Sequence, residues 1–267
     1  MRPEPFRIVR IRRELSDTFT LELEPRNGGQ VKEWRPGQFN MIYAFGIGES
    51  ALSISGDSDQ RSSYIHTIRA VGRVTRSLER LKRGDVVGLR GPFGQGWPDA
   101  AGKDLIIIAG GIGLAPLRPV IYRVLKSRAA YGRVLILYGA RSPGDLMYRN
   151  EIESWRGRLD LEFEVTVDTA PSSWRGNIGV VTALIPGSGW QDGQAMICGP
   201  EVMMRFSVQA LQRMGMSDDR IFISMERNMS CAIGHCGHCQ YGPHFICKDG
   251  PVLSFDRVAH YFNIREV

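Results

Sequence analysis

The amino-acid sequence predicts a β + α/β protein with an N-terminal antiparallel β-barrel, a doubly wound parallel-sheet domain and a small C-terminal module. Short strand-like segments fill the first third of the chain, and strand and helix patterns alternate from about residue 103. Four of the five cysteines lie within seventeen residues near the C-terminus. These three observations place the expected domain boundaries at 1–98, 103–225 and 226–267.

The first domain contains six segments rich in Val, Ile, Leu and Tyr, separated by Gly, Pro, Asp and Ser. Many short strands at this spacing predict an antiparallel barrel. A single helix, predicted at 74–81, interrupts them and ends before Gly84. The strands are predicted at residues 6–15, 18–23, 38–43, 51–55, 64–71 and 86–90.

The second domain begins with an apolar strand, a glycine-rich turn, a helix and another strand, in the order DLIIIA, GGIGLAP, LRPVIYRVLKSR and RVLILYGA. Further strand-like runs are LEFEVTVD and QAMICG, with helices predicted at 146–155 and 202–214 between them. A last strand, predicted at 220–225, leads into the cysteines. Strands and helices that alternate at this rhythm predict a parallel doubly wound sheet.

The glycine-rich turn of the second domain is a candidate nucleotide site. Gly110, Gly111 and Gly113 follow an apolar strand and precede a helix, where backbone N–H groups can hold a pyrophosphate. A tight turn chosen for sterics alone is the alternative. Pro116 replaces the third glycine of the usual fingerprint, and the next strand ends near Arg141, not at the acidic residue that binds an NAD ribose. Arg141 therefore favours NADP, unless it is a solvated loop charge.

A second candidate anion site lies in the barrel, where RAVGRVT runs from a strand through Gly72 into a helix. Backbone N–H groups at the helix start, the Thr75 hydroxyl and the charges of Arg69 and Arg73 suit a phosphate. Upstream, ALSIS forms a strand that carries small hydroxyl residues. An ordinary strand–helix junction is the alternative.

The cysteine segment predicts a metal centre. Cys231, Cys236 and Cys239 follow the C-x4-C-x2-C spacing of plant-type [2Fe–2S] ligation, and Cys247 supplies a fourth thiol. Zinc is an alternative, although zinc knuckles usually pair two C-x2-C units and this segment has one. A disulfide framework is disfavoured, because we expect no secretory signal and cytosolic thiols stay reduced.

Composition narrows the classes of partner. The formal net charge is +6, but the Lys and Arg residues are scattered, so we expect anionic ligands or an acidic protein partner and no nucleic acid. No uninterrupted apolar run approaches the ~18 residues of a spanning helix, so we expect no membrane span and a cytoplasmic location.

The order of barrel, GPFG, GGIGLAP, YGAR and CGP resembles the ferredoxin–NADP reductase superfamily. Within it, MERNMSCAIGHCGHC and FICKDGPV resemble the gamma (diaphorase) subunit of soluble cytoplasmic NiFe hydrogenases, the sulfhydrogenases. RPGQF, IRAVGRVT, GLRGPFGQGWP and MICGPEVMM extend that resemblance over nearly the whole chain. The electron-transfer subunits of dihydroorotate dehydrogenase and of anaerobic sulfite reductase share the architecture and stay as alternatives.

The resemblance implies FAD in the barrel, NADP or NAD in the α/β domain and a [2Fe–2S] cluster on the four thiols. Ser53 and Cys198 are the expected catalytic residues, beside the isoalloxazine and the nicotinamide. A buried core cysteine is the alternative for Cys198. The expected FAD-binding residues are Ala51, Leu52, Ser53, Arg69, Ala70, Val71, Gly72, Val74 and Thr75. The expected pyridine-nucleotide residues are Gly110, Gly111, Gly113, Pro116, Arg141, Cys198, Gly199 and Pro200.

Two positions depart from the family pattern. Ser50 or Glu49 stands where many members have an arginine, so Arg69 and Arg73 are the expected substitutes at the flavin pyrophosphate. Leu52 replaces the aromatic residue that flanks the flavin.

The resulting hypothesis is an enzyme subunit that converts hydride transfer into single-electron transfer. A nicotinamide cofactor exchanges a hydride with FAD, and a [2Fe–2S] cluster carries electrons singly to or from a partner. The expected partners are the large and small subunits of a NiFe hydrogenase and an iron–sulfur subunit. A non-catalytic module that senses nucleotide or binds zinc is the alternative of another class.

Overall fold

Two β-sheets organise the chain in a computed structural model, whose described residues are 2–262 and 264. The N-terminal sheet has six antiparallel strands in the order β4-β3-β6-β1-β2-β5. The strands are β1 (Glu4–Leu15), β2 (Thr18–Pro25), β3 (Phe39–Ala44), β4 (Gly48–Ser53), β5 (Tyr64–Arg69) and β6 (Val86–Phe93). Just past β4, the N–H of Ser55 donates to the Ile65 carbonyl in β5 at 2.8 Å. This bond brings the two edge strands together, and the predicted antiparallel barrel is confirmed.

The barrel interior is filled by alternate residues of its strands. Ile8 of β1 and Leu21 and Leu23 of β2 have no exposed surface, because residues two apart on a strand share a face. Helix α1 (Arg73–Glu79) packs against β3 and β4 and buries Leu78.

The second sheet has seven strands in the order β10-β9-β8-β7-β11-β12-β15. The first six are parallel and β15 is antiparallel to β12. The strands are β7 (Leu105–Gly110), β8 (Val134–Ala140), β9 (Glu162–Val167), β10 (Asn177–Ile178), β11 (Gln194–Cys198), β12 (Ile221–Ser224) and β15 (Val252–Ser254). The helices of this part are α2 (Leu114–Lys126), α3 (Arg149–Arg156) and α4 (Glu201–Arg213).

Both faces of the parallel sheet are covered. Ile106 and Ile108 belong to one apolar cluster, whereas Leu105 and Ile107 belong to another, on the opposite face. A strand buried on both sides is continuously apolar, as β7 is. The predicted doubly wound sheet is therefore confirmed.

Helix α3 begins three residues later than the predicted start at 146. A 3₁₀ turn at Pro143–Asp145 comes first, and Tyr148 then adopts a left-handed conformation with φ of 52° before the helix starts. The short strand β10 was not predicted, because two exposed residues carry no strand pattern.

The C-terminal segment forms a small hairpin, β13 (Gln240–Tyr241) and β14 (His244–Phe245), followed by α5 (Ile246–Asp249), β15 and α6 (Ala259–Phe262). The predicted boundaries 1–98, 103–225 and 226–267 stay predictions, and residues 263 and 265–267 lie outside the described residues. Because β15 completes the seven-stranded sheet, the described part of the C-terminal segment shares a strand edge with the α/β domain. No helix in the described part of the chain is long and apolar enough to cross a membrane.

Candidate cofactor sites

A cleft of about 790 Å³ opens at the carboxyl ends of the parallel strands, the edge at which open α/β sheets bind ligands. Three parts of the chain form its walls: the α/β domain, Arg69 at the end of β5, and Glu226 and Arg227 just after β12. The predicted nucleotide residues that line it are Gly110, Gly111, Gly113, Arg141, Gly199 and Pro200.

The glycine-rich turn needs glycine because it passes close over the end of β11. A Cβ on Gly113 would lie 2.2 Å from the carbonyl oxygen of Cys198, and one on Gly110 would lie 2.4 Å from the Met203 sulfur. Helix α2 starts at Leu114, directly after the turn. The first N–H groups of a helix have no intrahelical partner, so this turn offers donors to a pyrophosphate.

Pro116 lies in the first turn of α2, where a missing N–H removes no helical bond. It is buried, and its carbonyl accepts a hydrogen bond from the Trp97 indole at 3.0 Å. Pro116 therefore lies behind the cleft wall and does not line it.

Cys198 is 2% exposed and belongs to an apolar cluster under the glycine-rich turn. Burial raises the pKa of its thiol, the negative charge of Glu226 raises it further, and a hydrogen bond with Ser224 opposes both effects. The thiol is thus held in its neutral form next to the inner end of the cleft.

Strand β4 presents its residues to two different sides. Leu52 packs against the barrel core, whereas Ala51 packs against the apolar cluster of the α/β domain and the C-terminal segment. Ser53 shares the face of Ala51, because alternate residues of a strand point the same way. Of the two residues expected at the isoalloxazine, only Ser53 lies on the face that points away from the barrel interior.

A buried imidazole holds the backbone of Ser53. His66 Nδ1–H donates to the Ser53 carbonyl at 2.9 Å, and the Asn40 amide donates to His66 Nε2 at 3.2 Å. His66 has no exposed surface, and this burial lowers its pKa to about 4 despite the opposing hydrogen bonds. The ring is therefore neutral over the physiological pH range.

The predicted FAD phosphate segment follows β5. The Thr75 hydroxyl accepts from the Gly72 N–H at 3.0 Å and donates to the Gly72 carbonyl at 3.2 Å, which closes the first turn of α1. Arg69 pairs with Asp17 at 2.7 Å and lowers the pKa of that carboxyl. Ala70, Val71 and Val74 lie on the same segment, and α1 contacts β4.

The cysteine loop arranges its thiols in two pairs. The Cys236 N–H donates to the Cys231 Sγ, and the Cys247 N–H donates to the Cys239 Sγ, both at 3.4 Å. Cys239 and Cys247 are each 1% exposed, whereas Cys236 is exposed. No group of three or more His, Cys, Asp or Glu side chains within residues 2–262 and 264 is arranged to hold a metal ion.

Backbone N–H groups point at the sulfurs of this loop. Those of Ile233, His235 and Cys236 lie 3.3–3.4 Å from the Cys231 Sγ, and that of Gly234 lies 3.1 Å from the Cys247 Sγ. Partial burial opposes ionisation of Cys231, but these donors outweigh it and lower the pKa of the thiol to about 6. N–H donors stabilise the thiolate form that ligates iron, so the chemistry of these thiols suits an iron–sulfur centre, although the side chains are not gathered around one point.

Comparison with known proteins decides the family. Residues 107–209 match the oxidoreductase NAD-binding domain, and residues 226–259 match the iron–sulfur cluster binding domain of dihydroorotate dehydrogenase B. The sulfhydrogenase 2 gamma subunit of Pyrococcus furiosus is 36% identical over 242 residues, which cover 83% of this chain and 83% of the relative. The chain belongs to the family of the sulfhydrogenase gamma subunits. A probable dihydroorotate dehydrogenase B (NAD(+)) electron transfer subunit of the same organism is 35% identical, over 83% of this chain and 80% of the relative.

Solved structures show the same fold in other reductases. The NADH-dependent reduced ferredoxin–NADP oxidoreductase matches with a TM-score of 0.75 at 25% identity, covering 98% of this chain and 94% of that one. The cytochrome b5 reductase domain of Ulva prolifera nitrate reductase matches with a TM-score of 0.72 at 19% identity, covering 83% and 96%. The predicted superfamily and fold class are confirmed.

This sulfhydrogenase-gamma-like chain is thus an oxidoreductase subunit that transfers electrons between NAD(P)H, a flavin and an iron–sulfur centre. The cleft wall also contains residues that the sequence did not indicate, among them Glu226. Glu226 is open to the solvent of the cleft, but the surrounding protein raises the pKa of its carboxyl by desolvation. Its only signal in the sequence is its position directly after the last parallel strand.

Proposed function

We propose that this subunit carries FAD against the barrel, NADP or NAD in the cleft and a [2Fe–2S] cluster on Cys231, Cys236, Cys239 and Cys247. Its partners are the large and small subunits of a NiFe hydrogenase and an iron–sulfur subunit, in the cytoplasm. The observation that carries the proposal is the cleft itself, because residues of the barrel, of the α/β domain and of the segment leading to the thiols share its walls.

The flavin and the iron–sulfur centre, when bound, supply the two-electron and one-electron chemistry that amino-acid side chains lack. The protein positions them and sets their electrostatic surroundings. The glycine-rich turn donates N–H groups to the pyrophosphate, and Arg141 at the rim favours a 2′-phosphate and hence NADP.

The inner end of the cleft combines a neutral thiol with a carboxyl of raised pKa. Cys198 keeps its proton on Sγ and lies buried behind Gly199 of the cleft wall, so it places no charge beside a nicotinamide. Glu226 retains a proton to a higher pH than an ordinary glutamate, so it can exchange one with the cleft. We assign both side chains to the nicotinamide end of the nucleotide.

The barrel side is held by hydrogen bonds to the backbone. The neutral imidazole of His66 fixes the Ser53 carbonyl, and this leaves the Ser53 side chain on the face outside the barrel interior. We assign the Ser53 hydroxyl to the flavin edge. We assign Arg69, Val71 and Gly72 to the flavin phosphates, since they lead into α1, and α1 contacts β4.

Two observations support a [2Fe–2S] cluster over zinc. N–H···S bonds link Cys231 with Cys236 and Cys239 with Cys247, a two-by-two grouping that suits two iron atoms, whereas a single zinc ion needs four ligands around one point. The N–H donors stabilise negative charge on the sulfurs, which a sulfide-containing centre has in excess.

The experiment is anaerobic purification of the full chain, followed by flavin, iron and sulfide analysis and electron paramagnetic resonance (EPR) after reduction. We expect one flavin, two iron atoms and two sulfides per chain, and dye reduction that depends on NADPH or NADH. A colourless, zinc-containing protein without nicotinamide-dependent dye reduction would disprove the proposal.

The partner is tested separately. Because the dihydroorotate dehydrogenase subunits are almost as similar as the sulfhydrogenase gamma subunits, a pyrimidine-pathway partner is the second candidate. Copurification from native cells distinguishes the two: hydrogenase subunits support the proposal, and a dihydroorotate dehydrogenase catalytic subunit supports the alternative.

A further inference from the structure

Arg90 of β6 is a buried arginine that connects the barrel to the cysteine loop. Its side chain is only 9% exposed. Nε and Nη2 donate to the two carboxylate oxygens of Glu49 in β4, at 3.1 and 2.6 Å. Nη1 donates to the carbonyl of Cys231 and Nη2 to that of Ser230, both at 3.2 Å.

The position of Arg90 in the sheet places it between β4 and the first thiol. Arg90 is paired with Met41 of β3, and Met41 is paired with Ala51 of β4. Residues paired across a sheet share a face. Glu49, Ala51 and Ser53 therefore lie along the face of β4 that Arg90 occupies, and Ser53 is the residue assigned to the flavin edge.

The charges of this pair also explain a departure from the family pattern. The resemblance expects an arginine where Ser50 or Glu49 stands, and the structure shows a carboxylate there bound to an arginine of another strand. Removing either charge would leave the other without its partner in a largely buried site, which is unfavourable. Glu49 is therefore the counter-ion of Arg90 and not a contact of the flavin pyrophosphate.

We propose that Arg90 is a positioning residue that fixes Cys231 relative to β4, and that the Arg90–Glu49 pair sets the local charge beside the iron–sulfur centre. The inference rests on the proposed function, because it requires a centre on these thiols. The Arg90 guanidinium donates two N–H groups to the backbone at Ser230 and Cys231. Hydrogen bonds from surrounding residues orient metal ligands, so these two bonds orient Cys231.

The pair makes a prediction that a purely structural role does not. Cluster potentials depend on net charge nearby, and reduction adds one negative charge to the centre. Arg90→Met leaves the Glu49 charge alone and makes reduction harder, so the midpoint potential falls. Glu49→Gln leaves the Arg90 charge alone, so the potential rises. Arg90→Lys keeps the charge and the potential while it loses the two-pronged contact.

The test is an anaerobic redox titration of the full chain followed by EPR, with each variant compared with the parent. The matched controls are Arg118→Met and Glu151→Gln, which remove a second buried Arg–Glu pair. Arg118 is 5% exposed, and it donates to Glu151 and to the Ser55 carbonyl. We expect opposite shifts for Arg90→Met and Glu49→Gln and unchanged potentials for the controls and Arg90→Lys. Shifts of the same sign, no shifts, or equal shifts in the controls would overturn the inference.

Failure of this inference is distinguishable from failure of the proposed function. A parent protein without a reducible iron–sulfur signal ends the proposed function before any variant is made. A parent with that signal and variants at the parent potential ends only the role of Arg90. If Arg90→Met does not assemble a centre, Glu49→Gln decides: a raised potential supports the pair, and an unchanged one refutes it.

Discussion

The barrel meets its two neighbours through the same pair of residue types in different surroundings. At the junction with the cysteine loop, Arg90 binds Glu49 and two backbone carbonyls. At the junction with the α/β domain, Arg118 of α2 binds Glu151 of α3 and the Ser55 carbonyl at 3.1 Å. Each arginine thus donates hydrogen bonds to a carboxylate in its own part of the chain and to backbone carbonyl oxygen across the junction.

The two junctions differ in what surrounds the guanidinium group of each arginine. The Arg118 guanidinium lies 4.2 Å from the centre of the Tyr148 ring and 5.1 Å from that of Tyr122. The Tyr148 hydroxyl donates to Thr67 of the barrel at 2.6 Å. This junction is a packed aromatic contact between the barrel and the α/β domain. At the other junction, Arg90 donates to the backbone of Cys231, a proposed ligand of the iron–sulfur centre. The role of a buried ion pair therefore depends on the residues that surround it and not on the pair alone.

The largest expected effect is the loss of the iron–sulfur centre at the cysteine-loop junction. Cys239→Ser should abolish the iron–sulfur EPR signal and lower the iron content, because Cys239 is a buried member of one thiol pair. Flavin content and NAD(P)H oxidation should persist, since the cleft and barrel residues are elsewhere. Cys198→Ser is the matched control and should retain the signal. A full iron–sulfur signal in Cys239→Ser would show that the ligand set is wrong.

The next effect concerns stability at the α/β junction. Arg118→Met leaves Glu151 without its buried partner and should lower the free energy of unfolding by about 3–5 kcal/mol. Urea denaturation followed by tryptophan fluorescence measures the change. The double variant Arg118→Met, Glu151→Gln should recover part of the loss, because no unpaired charge is left. Equal stabilities of the parent and Arg118→Met would contradict the proposed contribution of this junction.

The buried His66, which is hydrogen-bonded to the end of β4, predicts that the stability of the protein depends on pH. Its pKa is about 4 in the folded protein against an ordinary value of 6.5, so the unfolded chain binds a proton more readily. Stability is therefore complete above pH 6.5 and falls as the pH drops toward 4, by about 3 kcal/mol in total. His66→Gln should remove this dependence, as unfolding free energies at about pH 7 and pH 4.5 would show. Parallel pH profiles of parent and variant would refute it.

The smallest effect removes one hydroxyl. Tyr148→Phe keeps the ring beside Arg118 but loses the hydrogen bond to Thr67, which should cost about 1 kcal/mol. Thr67 keeps contacts with Ser55 and Thr20, so no polar group there is left without a partner. The measurement is the denaturation midpoint, with Tyr122→Phe as the comparison at the other ring. A loss as large as that of Arg118→Met would mean that the hydroxyl, and not the ion pair, dominates this junction.

Local patterns predicted most of the fold. Segments rich in Val, Ile, Leu and Tyr between turn residues indicated the barrel strands, and the apolar run LIIIA indicated a parallel strand, because these patterns depend on neighbouring residues alone. Boundaries were less accurate. Strand β4 starts at Gly48 and ends at Ser53, while the prediction placed it at 51–55, because a glycine carries little strand preference.

The site was predictable where chemistry follows spacing. The glycine-rich turn indicated the cleft that it lines, whereas the ligand set predicted from the cysteine spacing stays a prediction. The N–H groups aimed at sulfur depend on turns that include Ala232 at φ of 64°, a conformation that is unusual for alanine and that no spacing rule indicates. Arg90 and Glu49 are 41 positions apart, and Arg90 is 141 positions from Cys231, so only the folded chain brings them together.

The strand β15 has a practical consequence for protein engineering. The chain leaves the large sheet at β12, forms the cysteine loop and returns to the same sheet edge, where β15 pairs with β12. Both ends of the loop are therefore anchored in one hydrogen-bonded ladder. A chimaera that exchanges this loop with that of a relative should transplant residues 221–254 as one block. A cut between β12 and β15 would take two strands that pair with each other from different proteins.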